Sequence, residues 1–197
     1  MRKQNTSIFQ KILILLGVCF LIAAAFLTLL WQYGIHTWAQ NTQRYVQTIR
    51  SLIPEPQGAG LEERNDHTMP LLSLDGIDFV GILEMPLQEA ALPVCADWAE
   101  HQKCLSRFDG SIYDGSMQIG GTSQKGQLDF FREISVGDSV FFTDMEGNRY
   151  HYTVTDLRYA PHADQNTLQR ADGELTLFVK NLFAFEYLII SCEILSG

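Results

Sequence analysis

Positive charge is scarce in this chain. It holds 14 Lys and Arg against 23 Asp and Glu, a formal net charge of −9, and no basic residue falls between Lys11 and Arg44. All the acidic residues lie after Trp31 with only 11 of the basic ones, so that part carries −12. A surface of that sign repels nucleic acid and anionic lipid, which removes both as partners. Cysteine is also sparse: four residues, with no C-x-x-C pair, which argues against a structural zinc site and a dithiol redox motif. Long helical periodicity is missing beyond about residue 72, and with it any helical-bundle reading.

What is present begins with a 20-residue uncharged stretch, Ile12 to Trp31, broken only by Gly17 and Thr28. About 20 apolar residues is the length a helix needs to cross the hydrocarbon core. Arg2, Lys3 and Lys11 precede it, so the positive-inside rule puts the N-terminus in the cytoplasm and the rest outside. A cleaved leader is the competing reading, because Ala23, Ala24 and Ala25 are small. The run is longer than a leader's apolar core and no A-x-A site follows it directly. Trp31, Tyr33 and Trp38 suit an outer interfacial belt, which favours an uncleaved anchor.

The expected organisation is therefore a cytoplasmic N-terminus over 1–11, a membrane anchor over 12–31, a stalk and linker over 32–72, and one extracytoplasmic domain over 73–197. Trp38 to Ile53 reads as a helical stalk stopped by Pro54 and Pro56, followed by polar linker to about Leu72. Beyond it come short β-rich runs parted by Gly, Asp and Asn: 79–83, 91–94, 139–143, 150–154, 174–179 and 187–194. Met145-Glu146-Gly147-Asn148 has hairpin-turn chemistry. Seven or eight strands with little helix predict a closed β-barrel or a sandwich. Asp97 to Leu105 reads as helical, which sets Cys95 and Cys104 about 13 Å apart and unable to pair. At most one bridge can form among Cys95, Cys104 and Cys192; Cys104 with Cys192 stays open, beside the plainer reading of buried free thiols.

Leu175-Thr176-Leu177-Phe178-Val179-Lys180 resembles the nucleophile strand of sortases, which reads roughly T-L-x-T-C. The resemblance extends over Ile77 to Ile194. Ile77 to Pro86 is similar to the opening strand, Leu92-Pro93-Val94 to the second, and Arg107 to Ser111 with Met117 to Gly121 to the approach to the catalytic histidine. Val136-Gly137-Asp138-Ser139-Val140 is similar to the G-D strand. The match resembles a clostridial sortase subfamily whose nucleophile strand reads L-T-L-F-T-C and whose last strand ends R-x-x-x-x-C. The resemblance implies a sortase-like closed β-barrel of seven to eight strands with short helices behind one transmembrane helix. It also implies a place on the outer face of a Gram-positive cell membrane, and sorting-signal peptides, pilin or surface proteins, or an active sortase as partners.

Sortase chemistry, as the resemblance implies it, needs a thiolate to form the acyl-enzyme, a histidine for acid–base work, and an arginine at the oxyanion or peptide. Counting back from Gly137-Asp138 puts Thr122 at the histidine, with Ser123 next; Lys180 stands at the cysteine; counting back from Cys192 puts Tyr187 at the arginine, or Glu186 if the register slips by one. None is a catalytic type. His101, His151 and His162 fall on other elements, and Cys192 would face the core, where an apolar site raises a thiol's pKa. The expectation is a catalytically inactive pseudo-sortase that binds peptide or serves as an accessory in surface-protein or pilus anchoring. The alternative is an active transpeptidase or hydrolase of LPxTG-like signals with an altered site. No cofactor is expected, and Asp164, Asp172 and Glu174 offer carboxylates without calcium-ligand spacing.

Overall fold

Short runs rich in β-branched and aromatic residues, parted by Gly, Asp and Asn, build the barrel. In the computed structural model, which describes residues 3–59, 68–168, 173–182 and 184–195, ten strands form: β1 (Gln57–Ala59), β2 (Leu72–Leu74), β3 (Ile77–Met85), β4 (Ala90–Cys95), β5 (Leu105–Asp109), β6 (Met117–Thr122), β7 (Ser139–Asp144), β8 (Asn148–Ala160), β9 (Leu175–Asn181) and β10 (Glu186–Ile194). Pairing runs β8-β10-β9-β6-β5-β4-β3, and β7 bonds to both β3 and β8, closing an eight-stranded barrel. Short β1 and β2 hang on β8 and β3. On β9, Leu175, Leu177 and Val179 point into the interior; on β10, Leu188, Ile190 and Cys192 do the same. The period of two sends Thr176, Phe178 and Lys180, and Tyr187, Ile189 and Ser191, to the outside.

The chain divides into two units, residues 1–37 and 38–197. Helix α1 (Lys3–Leu52) supplies the whole described part of the first. Its stretch Gln10–Leu30, of mean hydropathy 2.9, is long and apolar enough to cross a membrane. The last turns of α1 belong to the second unit. There Tyr45, Val46 and Ile49, one face at helical spacing, are buried with Phe79, Ile82, Cys95 and Cys104 in a core on the barrel's outer side. Full burial of an aliphatic side chain such as Ile49 stabilises by about 2 kcal/mol. Glu84 fastens the same contact, accepting from Arg50 at 2.5 Å and from Arg149 at 3.0 Å. The segment expected as a helical stalk is helical and ends packed on the barrel, and Gln57–Ala59, expected as linker, is strand β1.

Two tight turns shape the sheet, of which the one between β7 and β8 was expected from the sequence. Asp75 and Gly76 carry φ of 53° and 78° in the tight β2–β3 connection. Between β7 and β8, buried Asp144 accepts from Glu146 N, Asn148 N and Asn148 Nδ2, each at 2.9 Å, and from Tyr113 Oη at 3.0 Å. That carboxylate satisfies the turn's inward-facing donors at once.

The helix expected over Asp97 to Leu105 is absent, and the cysteine reading falls with it. Asp97 caps a single 3-10 turn, Trp98–Glu100, by accepting from Ala99 N at 2.9 Å. Glu100 O then receives both Lys103 N and Cys104 N, which turns the chain back. Strand β5 therefore runs parallel to β4, pairing Val94 with Leu105 and Cys95 with Ser106. Cys95 and Cys104 come to 6.5 Å between Cα atoms and are disulfide-bonded; Cys192 is free, so no Cys104–Cys192 bridge exists. Extended chain on both sides of a tight loop brings together what a helix would have held apart.

Candidate functional site

Two strand registers place the residues singled out from the sequence. β6 and β9 run parallel with Thr122 opposite Lys180, and β9 and β10 run antiparallel with Tyr187 opposite Lys180. Opposed residues share a face. Thr122, Lys180 and Tyr187 thus stand in one row across three neighbouring strands, on the outer side near one rim. The strand ends are tied there: Ser123 N donates to Lys180 O at 3.0 Å, and Leu182 N to Ser123 Oγ at 3.2 Å.

Each side chain in the row has a definite environment. Thr122 is buried, and its hydroxyl and backbone N–H both donate to Gln127 Oε1, at 3.1 and 2.7 Å. Gln127 is itself buried and donates from Nε2 to His101 O at 3.4 Å and Gln102 O at 3.2 Å. The Thr122 hydroxyl proton is thus committed to an amide oxygen, which cannot serve as a general base. Lys180 is exposed. Tyr187 is half-buried against a small outer-face cluster with Phe178, Ile189, Ala160 and Leu168.

The other titratable groups named from the sequence lie away from the row. His151 lies on β8, its Nε2 3.1 Å from Ser139 Oγ and its ring stacked on Phe141 at 4.2 Å. His101 stacks on Trp98 at 4.4 Å, with Nδ1 2.7 Å from Trp98 O. His162 is exposed in the loop after β8. Cys192 is buried inside the barrel, and burial pushes its thiol from an ordinary 9.0 up to about 12. At neutral pH it is a protonated core side chain facing away from the row. Asp164 caps the short helix α2 (Gln165–Leu168), accepting from Thr167 N at 2.8 Å; bonds from the Thr167 hydroxyl and N–H hold its carboxyl below the usual range. Glu174 accepts from Ile194 N at 2.6 Å. Asp172 lies outside the described residues.

Sequence reasoning missed the aromatic group immediately beside the row. Trp98 lies 5.1 Å from Phe108, edge-on, and 5.5 Å from Phe178. Phe108 meets Phe178 edge-on at 5.5 Å. Gly120, on β6 between Gln118 and Thr122, lies beneath them: a Cβ there would run into the Phe178 ring and come within 2.6 Å of Trp98 Cζ3. Trp98 and Phe108 also wall a half-open cavity of about 450 Å³ whose other side chains include Asp78, Asp97, Arg107 and Asp109. The only sequence signal for this group was two aromatics flanking a loop, with no periodicity to say what they touch.

No family model matches the chain, and no curated protein does. Solved structures do. The lid mutant of sortase A from Corynebacterium diphtheriae superposes with a TM-score of 0.53 at 14% identity, over 83% of this chain and 94% of that one. Sortase C-3 from Streptococcus pneumoniae gives 0.53 at 18% identity, over 82% and 84%. Sortase C1 from Streptococcus agalactiae gives 0.52 at 15%, over 64% and 72%. The fold is sortase-like.

Proposed function

We propose that this protein is a membrane-anchored, extracytoplasmic pseudo-sortase: a barrel that keeps an outer-face surface for an extended peptide, performs no acyl transfer, and serves as an accessory in anchoring surface proteins or pili. One observation carries the reading. The row Thr122, Lys180 and Tyr187 occupies three adjacent strands in register, yet holds a hydroxyl already bonded to Gln127, an exposed amine and a phenol. Covalent acyl transfer needs an activated nucleophile within reach of a base. Lys180 stands opposite a hydroxyl and a phenol, neither of them a base, and the only described thiol of the barrel unit outside the disulfide faces the interior. A cation, a phenol and the adjoining Phe178 can nonetheless hold a peptide by charge and apolar contact.

The peptide test uses the full chain in detergent and a fluorescent LPxTG-type peptide. Binding is expected as a rise in anisotropy, with the peptide recovered intact by mass spectrometry. Cleaved or transferred peptide, lost again on Lys180→Ala, would make the protein an enzyme and overturn the reading. Location rests on Gln10–Leu30 and on the basic residues that precede or open it, Arg2, Lys3 and Lys11. An epitope placed at the C-terminus is expected to be cut by protease on intact cells stripped of their wall. A protected epitope would reverse the orientation.

A further inference from the structure

The loop between the bridged cysteines covers the surface that the proposed function needs open. It carries Trp98 onto the outer face of β6 and β9, over Gly120 and against Phe178, one side-chain step below Thr122 and Lys180. Phe178 is buried under this cover although it projects from the barrel. Trp98 is not among the described residues of the barrel interior; it packs with the outer cluster and stacks on His101. The side chain is thus separable from the fold, unlike a core residue. Three anchors hold the loop in place. The Cys95–Cys104 disulfide pins both ends, Asp97 caps the turn under Trp98, and buried Gln127 donates to the carbonyls of His101 and Gln102 while its Oε1 holds Thr122. One amide therefore joins the loop to the row. Gly120 fits this role: at the one floor position beneath the indole the strand carries no side chain, leaving room that Trp98 fills.

We infer that the Cys95–Cys104 loop is an autoinhibitory strap, with Trp98 as an internal occupant of the outer-face groove, and that an extended peptide reaches Phe178 and Lys180 only when Trp98 swings out. The inference rests on the peptide-binding reading above and adds its regulation. A ligand that needs a minor open state binds weaker by the fraction of time that state exists.

The full chain in detergent, titrated with the fluorescent LPxTG-type peptide, tests it. Trp98→Ala is expected to bind about tenfold tighter than the unaltered protein, and Trp98→Phe, which keeps an aromatic occupant, close to it. Equal or weaker binding by Trp98→Ala would make the indole a wall of the groove and overturn the strap. If no form binds the peptide, the peptide reading fails, and a readout free of ligand decides the strap. In a Trp31→Phe/Trp38→Phe background Trp98 is the sole tryptophan. Its emission is expected to be shielded from acrylamide, and Cys95→Ser/Cys104→Ser is expected to raise the quenching constant at least about twofold. Unchanged quenching would overturn the strap. Should the double change unfold the barrel by circular dichroism, Gln127→Ala, which cuts the third anchor and leaves the disulfide and the Asp97 cap in place, is used instead with the same two outcomes.

Discussion

Lys180→Cys alone is expected to show no turnover of an LPxTG-type peptide above the uncatalysed background. The new thiol would stand at the strand position opposite Thr122 and Tyr187. Its neighbour is a threonine hydroxyl bonded to Gln127, so nothing there takes the thiol's proton. Tyr187 supplies one neutral phenol where a developing oxyanion requires strong preorganised donors. Catalytic groups act as a unit, and one restored member returns almost nothing. The triple change Thr122→His, Lys180→Cys and Tyr187→Arg puts thiol, imidazole and guanidinium in one row, and measurable turnover is expected only there. Adding Trp98→Ala to it should raise the rate by uncovering Phe178. Steady-state cleavage of a quenched fluorescent peptide reads the three variants beside the unaltered protein. Turnover by the single change would mean that a base exists which the row does not contain.

The second large effect is on stability. Gly81→Ala is expected to cost about 3 kcal/mol and to lower the melting temperature of the barrel by roughly 10 °C. Gly81 lies on β3 where it pairs with Val94 on one side and Asp144 on the other. A methyl group there would overlap the Phe142 ring and come within 2.5 Å of Thr143 O, a backbone atom held in the β3–β7 ladder. A flexible side chain can yield; a ladder carbonyl at the seam that closes the barrel cannot. Gly58→Ala, with nothing within 4 Å of the added carbon, serves as the control and should melt with the unaltered protein. Thermal circular dichroism in detergent distinguishes them, and a Gly81→Ala melt within about 2 °C of the control would refute the clash.

Much of the architecture was legible because strands announce themselves locally. Ser139 to Thr143 and Tyr150 to Val154 lie inside β7 and β8, and the turn between them sits where Gly147 and Asn148 indicated. The row was legible too, since fixed offsets from Gly137-Asp138 and from Cys192 named Thr122 and Tyr187, and the ladders set both against Lys180. Residues 97–105 misled because Trp98, Ala99 and Glu100 suit a helix, while the pairing of Val94 with Leu105 that overrides them is a tertiary fact with no local sign. For the same reason the disulfide could not be read from a separation of nine residues. Val46 and Ile49 have the spacing of a packed helix face, but following an apolar span they looked like its continuation.

Closure of the sheet also limits how any partner can be recognised. Many peptide-binding domains use an exposed sheet edge, where the ligand joins as one more strand and its backbone supplies most of the affinity. Here β7 bonds to both β3 and β8, and the strands left at the margins, β1 and β2, are three residues each. Edges that short offer few unpaired N–H and C=O groups. On the peptide-binding reading proposed above, the ligand lies across the face of the barrel over side chains such as Lys180, Tyr187 and Phe178, and its sequence counts for more than its capacity to extend.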